Sequence, residues 1–389
     1  MKKKLLTTLL AAVLCTPQVA FAARDGEGME YTSASEGFYG SIRTMYTSKA
    51  GADKTNGGKI QADGSRLGVR GTLDLGHGLT GLYRYEWSVS GDNGSAIGNT
   101  RLSYVGLRGS WGEFQVGSHW ENDYNWVTAA TDVATTGSGN FAPHFRRKNS
   151  FQYATPDING FQGSFRFGLD GNAKTDGGPA PIEAVSVRVS VGVVNNDVPV
   201  NVLAATAPSE NVDEWAIAAK YSTHGFTFGG AYEVRPDALR SQVLTASGVA
   251  TNAGVVTITP SDGKAEDATF WALRMGYGQD NWSVNGWYGE HNTSDLKGQV
   301  RAGAAIADVT QQDTKIFSVA GNIDLGKFAV VGIFETNENP AAEEDSVFIA
   351  NVDYKFTSRS KAYLAYIAND FDSSPNKADE VRVGLRMDF

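Results

Sequence analysis

The side chains with the greatest chemical capacity in this sequence are arginines and carboxylates held at regular spacings. Arg43, Arg70 and Arg84 each fall near the middle of a stretch in which apolar and polar residues alternate. All three lie on the polar side of their stretch. Arg382 and Arg386 share that parity in the last stretch, where Val381, Val383, Leu385, Met387 and Phe389 fill the other side. Guanidiniums gathered on one surface repel, and they tolerate one another only in water or beside carboxylates. Facing water, they attract anions and repel cations without making or breaking a bond. Nothing else points to catalysis. His77, His119, His144, His224 and His291 show no helical metal-ligand spacing, and no G-x-S-x-G elbow occurs. Asp92-Asn93-Gly94 and Asp170-Gly171-Asn172 read as turns rather than calcium loops. No catalytic, cofactor-binding or metal-ligating set is expected.

The elements that must position these arginines are strands. Period-two alternation recurs along the chain in stretches of roughly ten residues, the length of a strand that crosses a bilayer. In one, Leu67, Val69, Leu73 and Leu75 oppose Arg66, Arg70, Thr72 and Asp74. In the next, Tyr83, Tyr85, Trp87 and Val89 oppose Arg84, Glu86 and Ser88. Tight turns such as Gly76-His77-Gly78 and His224-Gly225 alternate with long polar connections. A lipid-facing outer surface around a wet interior demands this pattern throughout. The fold class expected is all-β: a transmembrane antiparallel barrel of about 16 strands. Val185, Val187, Val189, Val191 and Val193 also alternate. A hairpin inside an enlarged outer loop is preferred there over two further barrel strands.

The chain opens Met1-Lys2-Lys3-Lys4, then an apolar run, then Ala20-Phe21-Ala22. This reads as a secretory signal peptide over residues 1–22, leaving one barrel domain over 23–389. The one cysteine, Cys15, lies inside that leader, so no thiol or disulfide chemistry is expected afterwards. Loss of its three lysines takes the formal charge from -9 to -12, a poor balance for binding nucleic acid. Tyr221, Tyr277, Trp282, Phe328, Tyr354, Phe356 and Phe389 sit near strand ends on the apolar side, as interfacial aromatic belts do.

From Gly37 to Phe389 the chain resembles the general-diffusion porins of Gram-negative bacteria. The stretches that carry the likeness are Gly64-Ser65-Arg66-Leu67-Gly68-Val69-Arg70-Gly71, Arg101-Leu102-Ser103-Tyr104-Val105-Gly106-Leu107 and Arg147-Lys148-Asn149-Ser150-Phe151-Gln152-Tyr153, together with the closing Phe389. The resemblance implies a homotrimer in the outer membrane, passing small hydrophilic solutes and ions and contacting outer-membrane lipids. It also implies a third loop folded into the barrel, here 119–147, whose acids Glu121, Asp123 and Asp132 would face a basic wall. Arg43, Arg70 and Arg84 match that wall, and Arg146 and Arg147 match a further arginine of the family. Phe389 would be the signal read by the assembly machinery. The loop lacks the Pro-Glu-Phe-Gly turn of enterobacterial members, so the identity of the projecting acid is open. A substrate-specific channel is the alternative; it would need a row of luminal aromatics, for which Trp287 is a single candidate. An outer-membrane hydrolase would need a Ser-His or Asp-His constellation on the barrel.

Overall fold

A computed structural model describes residues 37–50, 58–90, 97–137, 146–169, 182–191, 194–203, 214–235, 242–246, 255–258, 268–292, 297–302, 305–310, 313–338, 345–371 and 379–389. The expected signal peptide, 1–22, lies outside these residues. Sixteen antiparallel strands form one barrel: β1 (Gly37–Ala50), β2 (Arg66–Gly76), β3 (Leu79–Val89), β4 (Ile97–Gly109), β5 (Gly112–Trp120), β6 (Arg146–Ala154), β7 (Phe161–Gly168), β8 (Glu214–Thr223), β9 (Phe226–Arg235), β10 (Ala268–Gln279), β11 (Trp282–Asn292), β12 (Thr314–Asp324), β13 (Phe328–Glu338), β14 (Asp345–Thr357), β15 (Ser360–Phe371) and β16 (Asp379–Asp388). Each pairs with the next, and β16 pairs back to β1 from Ser41↔Asp388 to Ala50↔Asp379. Closure leaves no edge among these sixteen strands, which a hydrocarbon surround requires. A short strand, Lys59–Ala62, adds to the far end of β1.

The alternation sorts side chains as a membrane barrel needs. On β1, Tyr39, Ser41, Arg43, Met45 and Thr47 are buried inside, whereas Phe38, Ile42 and Tyr46 are exposed outside. Leu73, Val105, Phe165, Leu273, Phe334, Leu364 and Val383 continue that exposed apolar band round the barrel. An apolar surface of this extent marks contact with something other than water. Near the short turns Tyr277 lies 4.5 Å from Phe226 and 5.7 Å from Trp282, ring to ring, and Phe328 lies 5.2 Å from Tyr354. Two of the five histidines serve these turns: His77 and His224 both adopt positive φ, beside Gly76, Gly78 and Gly225. At the seam, Gly40 and Phe389 exchange two backbone hydrogen bonds of 2.9 and 3.0 Å. The Phe389 ring covers Gly40 where any Cβ would collide with it.

At the opposite end, three long connections build a second sheet. Strands Ile182–Val191 and Val194–Leu203, Gln242–Ala246 and Val255–Ile258, and Lys297–Ala302 and Ala305–Thr310 pair into six strands. The valine-rich stretch is therefore a loop hairpin, Val194↔Val191 onward, and adds nothing to the barrel count.

The connection from β5 to β6 turns inward instead. Gly117 takes φ +131°, and a Cβ there would strike the Ser103 carbonyl oxygen. Asn149 takes φ +50°, and the β5–β6 register slips between Gly117 and His119. This bulge aims the chain into the barrel. A short helix, α1 (Asn122–Trp126), and a 3₁₀ turn, Thr128–Ala130, follow. Apolar packing seats them: Trp126 and Val127 cluster with Phe270, Trp287 and Ile316, and Val133 and Ala134 with Ile333 and Ile349.

Candidate functional site

Four adjacent strands present arginines to the barrel interior. Arg43 comes from β1, Arg66 and Arg70 from β2, Arg84 from β3 and Arg101 from β4. Register places Arg70 directly opposite Arg84, and Arg43 opposite Arg386 of β16. Like charges at such a pairing repel, so each pair needs relief. Tyr39 relieves the first. Its ring lies under the Arg70 guanidinium at 4.6 Å and the Arg84 guanidinium at 5.2 Å. Gly68 leaves room for that ring, since a Cβ there would overlap it. Arg84 Nε donates to the Tyr39 hydroxyl at 2.7 Å, which donates in turn to Glu86 Oε2 at 2.8 Å. Arg386 is relieved by Asp388, whose oxygens accept from its Nε at 2.8 and 3.0 Å. Arg43 Nε donates to Ser41 Oγ at 2.7 Å.

The inward loop, 121–137, runs round the other walls, strand by strand. Arg274 of β10 donates to the Trp126 carbonyl at 3.1 Å. Trp287 Nε1 of β11 donates to Thr131 Oγ1 at 2.9 Å, and Ser318 Oγ of β12 lies 2.7 Å from the same atom. Thr135 donates to Asp353 of β14 at 2.5 Å, and Arg382 of β16 donates to the Thr136 carbonyl at 3.2 Å. Three buried threonines thus peg the loop to four strands.

The acids at the root of the loop meet a different set of arginines. Glu121 pairs with Arg147 at 2.5 Å and lies 3.8 Å from Arg166. Arg147 also reaches Glu233 at 2.5 Å and Glu214 at 3.2 Å, and Arg166 reaches Glu214 at 2.5 Å. Asp123 joins this group, with carboxylate oxygens of Glu121, Asp123 and Glu233 within 4.8 Å of one another. That spacing would suit a cation, but two guanidiniums already supply positive charge there. Asp132 accepts from the Tyr124 hydroxyl at 2.6 Å, inside the loop itself.

A model of the Gram-negative porins matches residues 7–296, most of the sequence. The chain belongs to the Gram-negative porins. Outer membrane porin protein 32 of Delftia acidovorans is 30% identical over 171 residues, covering 39% of this chain and 49% of the relative. The chain spans about half the length of the curated relatives it matches, or less. Among solved structures, the anion-selective porin from Comamonas acidovorans superposes with a TM-score of 0.60 at 18% identity, covering 90% of this chain and 98% of that one. OmpT of Vibrio cholerae, in its trimer form, gives 0.57 at 12% identity over 90% and 98%. At those identities the likeness is one of fold.

Within this porin, Arg43, Arg70, Arg84 and Arg386 come together on one wall. Arg382 stands farther along the seam strand, tied to Glu380 at 2.7 Å and to the loop. Arg146 sits over the Trp120 ring at 4.9 Å, whereas Arg147 belongs to the carboxylate cluster. The contacts of Glu121 run to Arg147 and Arg166, not to the arginines of β1–β3. Sequence parity does not single out Tyr39, Glu86, Arg101 or Arg166 as site residues. Trp287 is inward but spent on holding Thr131.

Burial raises the Glu121 carboxyl, yet the Arg166 and Arg147 charges outweigh it and hold the group below the usual carboxylate range. For Asp123, burial and the neighbouring Glu121 and Glu233 push the carboxyl well above that range. A raised folded pKa contributes stability that is complete below the unfolded value and is lost as pH climbs through the folded one. Anchorage of the loop root therefore weakens on the alkaline side. The urea midpoint of the wild type in detergent falls more steeply with rising pH than that of Asp123→Asn, which carries no titrating group; parallel curves would rule this out.

Proposed function

We propose that this porin forms a water-filled channel in the outer membrane, through which small hydrophilic solutes and ions diffuse down their gradients with a preference for anions. The observation that carries the preference is the gathering of Arg43, Arg66, Arg70, Arg84 and Arg101 on four adjacent strands. Glu121 and Asp123, which would oppose them, are held among Arg147 and Arg166 instead. A passing anion meets a net positive wall, and its energy there falls relative to a cation's. No bond changes in this transport, so the reading is not an enzymatic one. A homotrimer is the assembly that the family implies, and the exposed apolar band suits lipid and subunit contact. Trp287 gives no support to a substrate-specific aromatic track, because the loop covers it.

Planar-bilayer recording of the purified protein in a salt gradient tests this reading. Ohmic single channels with a reversal potential of anion sign are expected. Protein that inserts yet carries no current would rule out the channel; a cation sign would rule out the preference.

Phe389 is proposed as the residue read during assembly. Its deletion removes two seam hydrogen bonds and the ring over Gly40. The folded, membrane-inserted fraction should drop severalfold, with unfolded protein left in the periplasm. Undiminished insertion would remove the idea.

A further inference from the structure

The basic wall contains one carboxylate that the channel reading leaves without a task. Glu86 is completely buried. Its Oε1 accepts from Arg101 Nε at 2.6 Å, and its Oε2 accepts from Arg84 Nη2 at 3.0 Å and from the Tyr39 hydroxyl at 2.8 Å. Arg66 stands on the neighbouring strand, diagonally across from it, since Gly68 is the direct partner of Glu86 and Arg66 that of Ser88. Two guanidiniums and a phenol thus converge on two oxygens, with a third guanidinium close by. That donor set is the one that captures phosphate or carboxylate.

Resting on the channel reading, we propose that Glu86 is a tethered counter-anion: its carboxylate occupies the anion-binding position of the arginine wall, so that small oxyanions pass along the wall and do not lodge in it. Strong binding at one site slows permeation, because an ion must leave as readily as it enters. A fixed carboxylate fills the deepest part of the well, yet its single negative charge leaves the wall of Arg43, Arg66, Arg70, Arg84 and Arg101 net positive, so that it still attracts anions. Tyr39 is the positioning residue, joining Arg84 to Glu86 and separating Arg84 from Arg70.

The test is Glu86→Ala in planar bilayers, with inorganic phosphate as the probe. The anion-to-cation permeability ratio should rise severalfold, because one fixed negative charge is lost from the wall that anions pass. Millimolar phosphate should then cut the conductance of the variant and leave the wild type unchanged. Glu113→Gln, which removes a carboxylate paired with Arg108 at 2.6 Å near a short turn, should show no phosphate block. An unchanged ratio overturns the proposal, and so does a raised ratio without phosphate block. Should Glu86→Ala fail to insert, the double variant Glu86→Gln, Arg101→Gln removes one charge of each sign and keeps an amide oxygen at position 86 to accept from Arg84. Its ratio should match the wild type, and a shift toward cations would show that Glu86 does not act on passing ions. A wild type without current would instead overturn the channel reading itself.

Discussion

Replacing Arg43, Arg70 and Arg84 together with Ser should move the reversal potential toward cation preference. A unit charge about 4 Å from an ion in water contributes about 1 kcal/mol. Arg43 and Arg84 are almost wholly buried, so ions pass at a greater distance and each charge counts for less; the three together should change the permeability ratio roughly tenfold, since 1.4 kcal/mol is tenfold. The shift has a second source. Arg84 is one of two arginines bonded to Glu86, so its loss leaves that carboxylate under-compensated. Arg84→Ser should accordingly give the largest of the three single effects. Salt separates field from shape: the Debye length falls from about 10 Å at 0.1 M to about 3 Å at 1 M, so the difference between variant and wild type should shrink across that range. Heat-modifiable gel mobility verifies folding. A folded triple variant that keeps wild-type selectivity at low salt would show that these arginines do not act on the conduction path.

Much of the barrel was legible in the sequence because period-two alternation is forced by the two solvents it separates. On β1 to β3 the parity of Arg43, Arg84 and Glu86 carries straight through to burial inside. Parity fails where the ladder slips. Leu102 pairs with Glu86 and Thr100 with Trp87, so Arg101 is an extra residue in a bulge. It turns inward beside Leu102, where strict alternation would send it out. Arg147 shares parity with the outward Phe151 and Tyr153, yet the bulge at Gly117 and Asn149 delivers it to Glu121 and Glu233. A bulge inserts one residue and reverses the parity beyond it, and a lone Gly or Asn in a strand does not say whether one is present, which is why both arginines escape a periodic reading. The acids of the loop escape it for another reason. Their partners Arg166 and Glu233 lie on β7 and β9, and only closure of the barrel brings those strands under α1. The outer sheet shows the converse case: its valines alternate as barrel strands do, and the pairing partner, not the pattern, decides which sheet they join.

Deleting Thr128 to Gly137 should open the channel. The segment is long, lies inside the barrel, and fills space that would otherwise be water. Its seat is built from both ends of the chemistry: Trp126, Val127, Val133 and Ala134 bury apolar surface, while Thr131, Thr135 and Thr136 meet polar groups of β11, β12, β14 and β16. Each hydroxyl bond contributes only about 1 kcal/mol net, but a loop held at four strands must break them together to swing away. The loop is therefore a fixed shelf in the wild type, and its removal should register as a permanent change and not as extra gating noise. Single-channel conductance should roughly double as the cross-section grows, and larger sugars should enter in liposome swelling. Barrel closure should survive, because every strand pair from β1 to β16 is made outside the segment. Selectivity should decline at the same time, since a wider path holds more ions beyond a Debye length from Arg43 and Arg84. Thr131→Val with Thr135→Val should give a partial version: the loop keeps its apolar seat but loses two pegs, and conductance should fluctuate between the wild-type level and the higher one. If the deletion leaves both conductance and exclusion size where they were, the segment does not bound the path that solutes take.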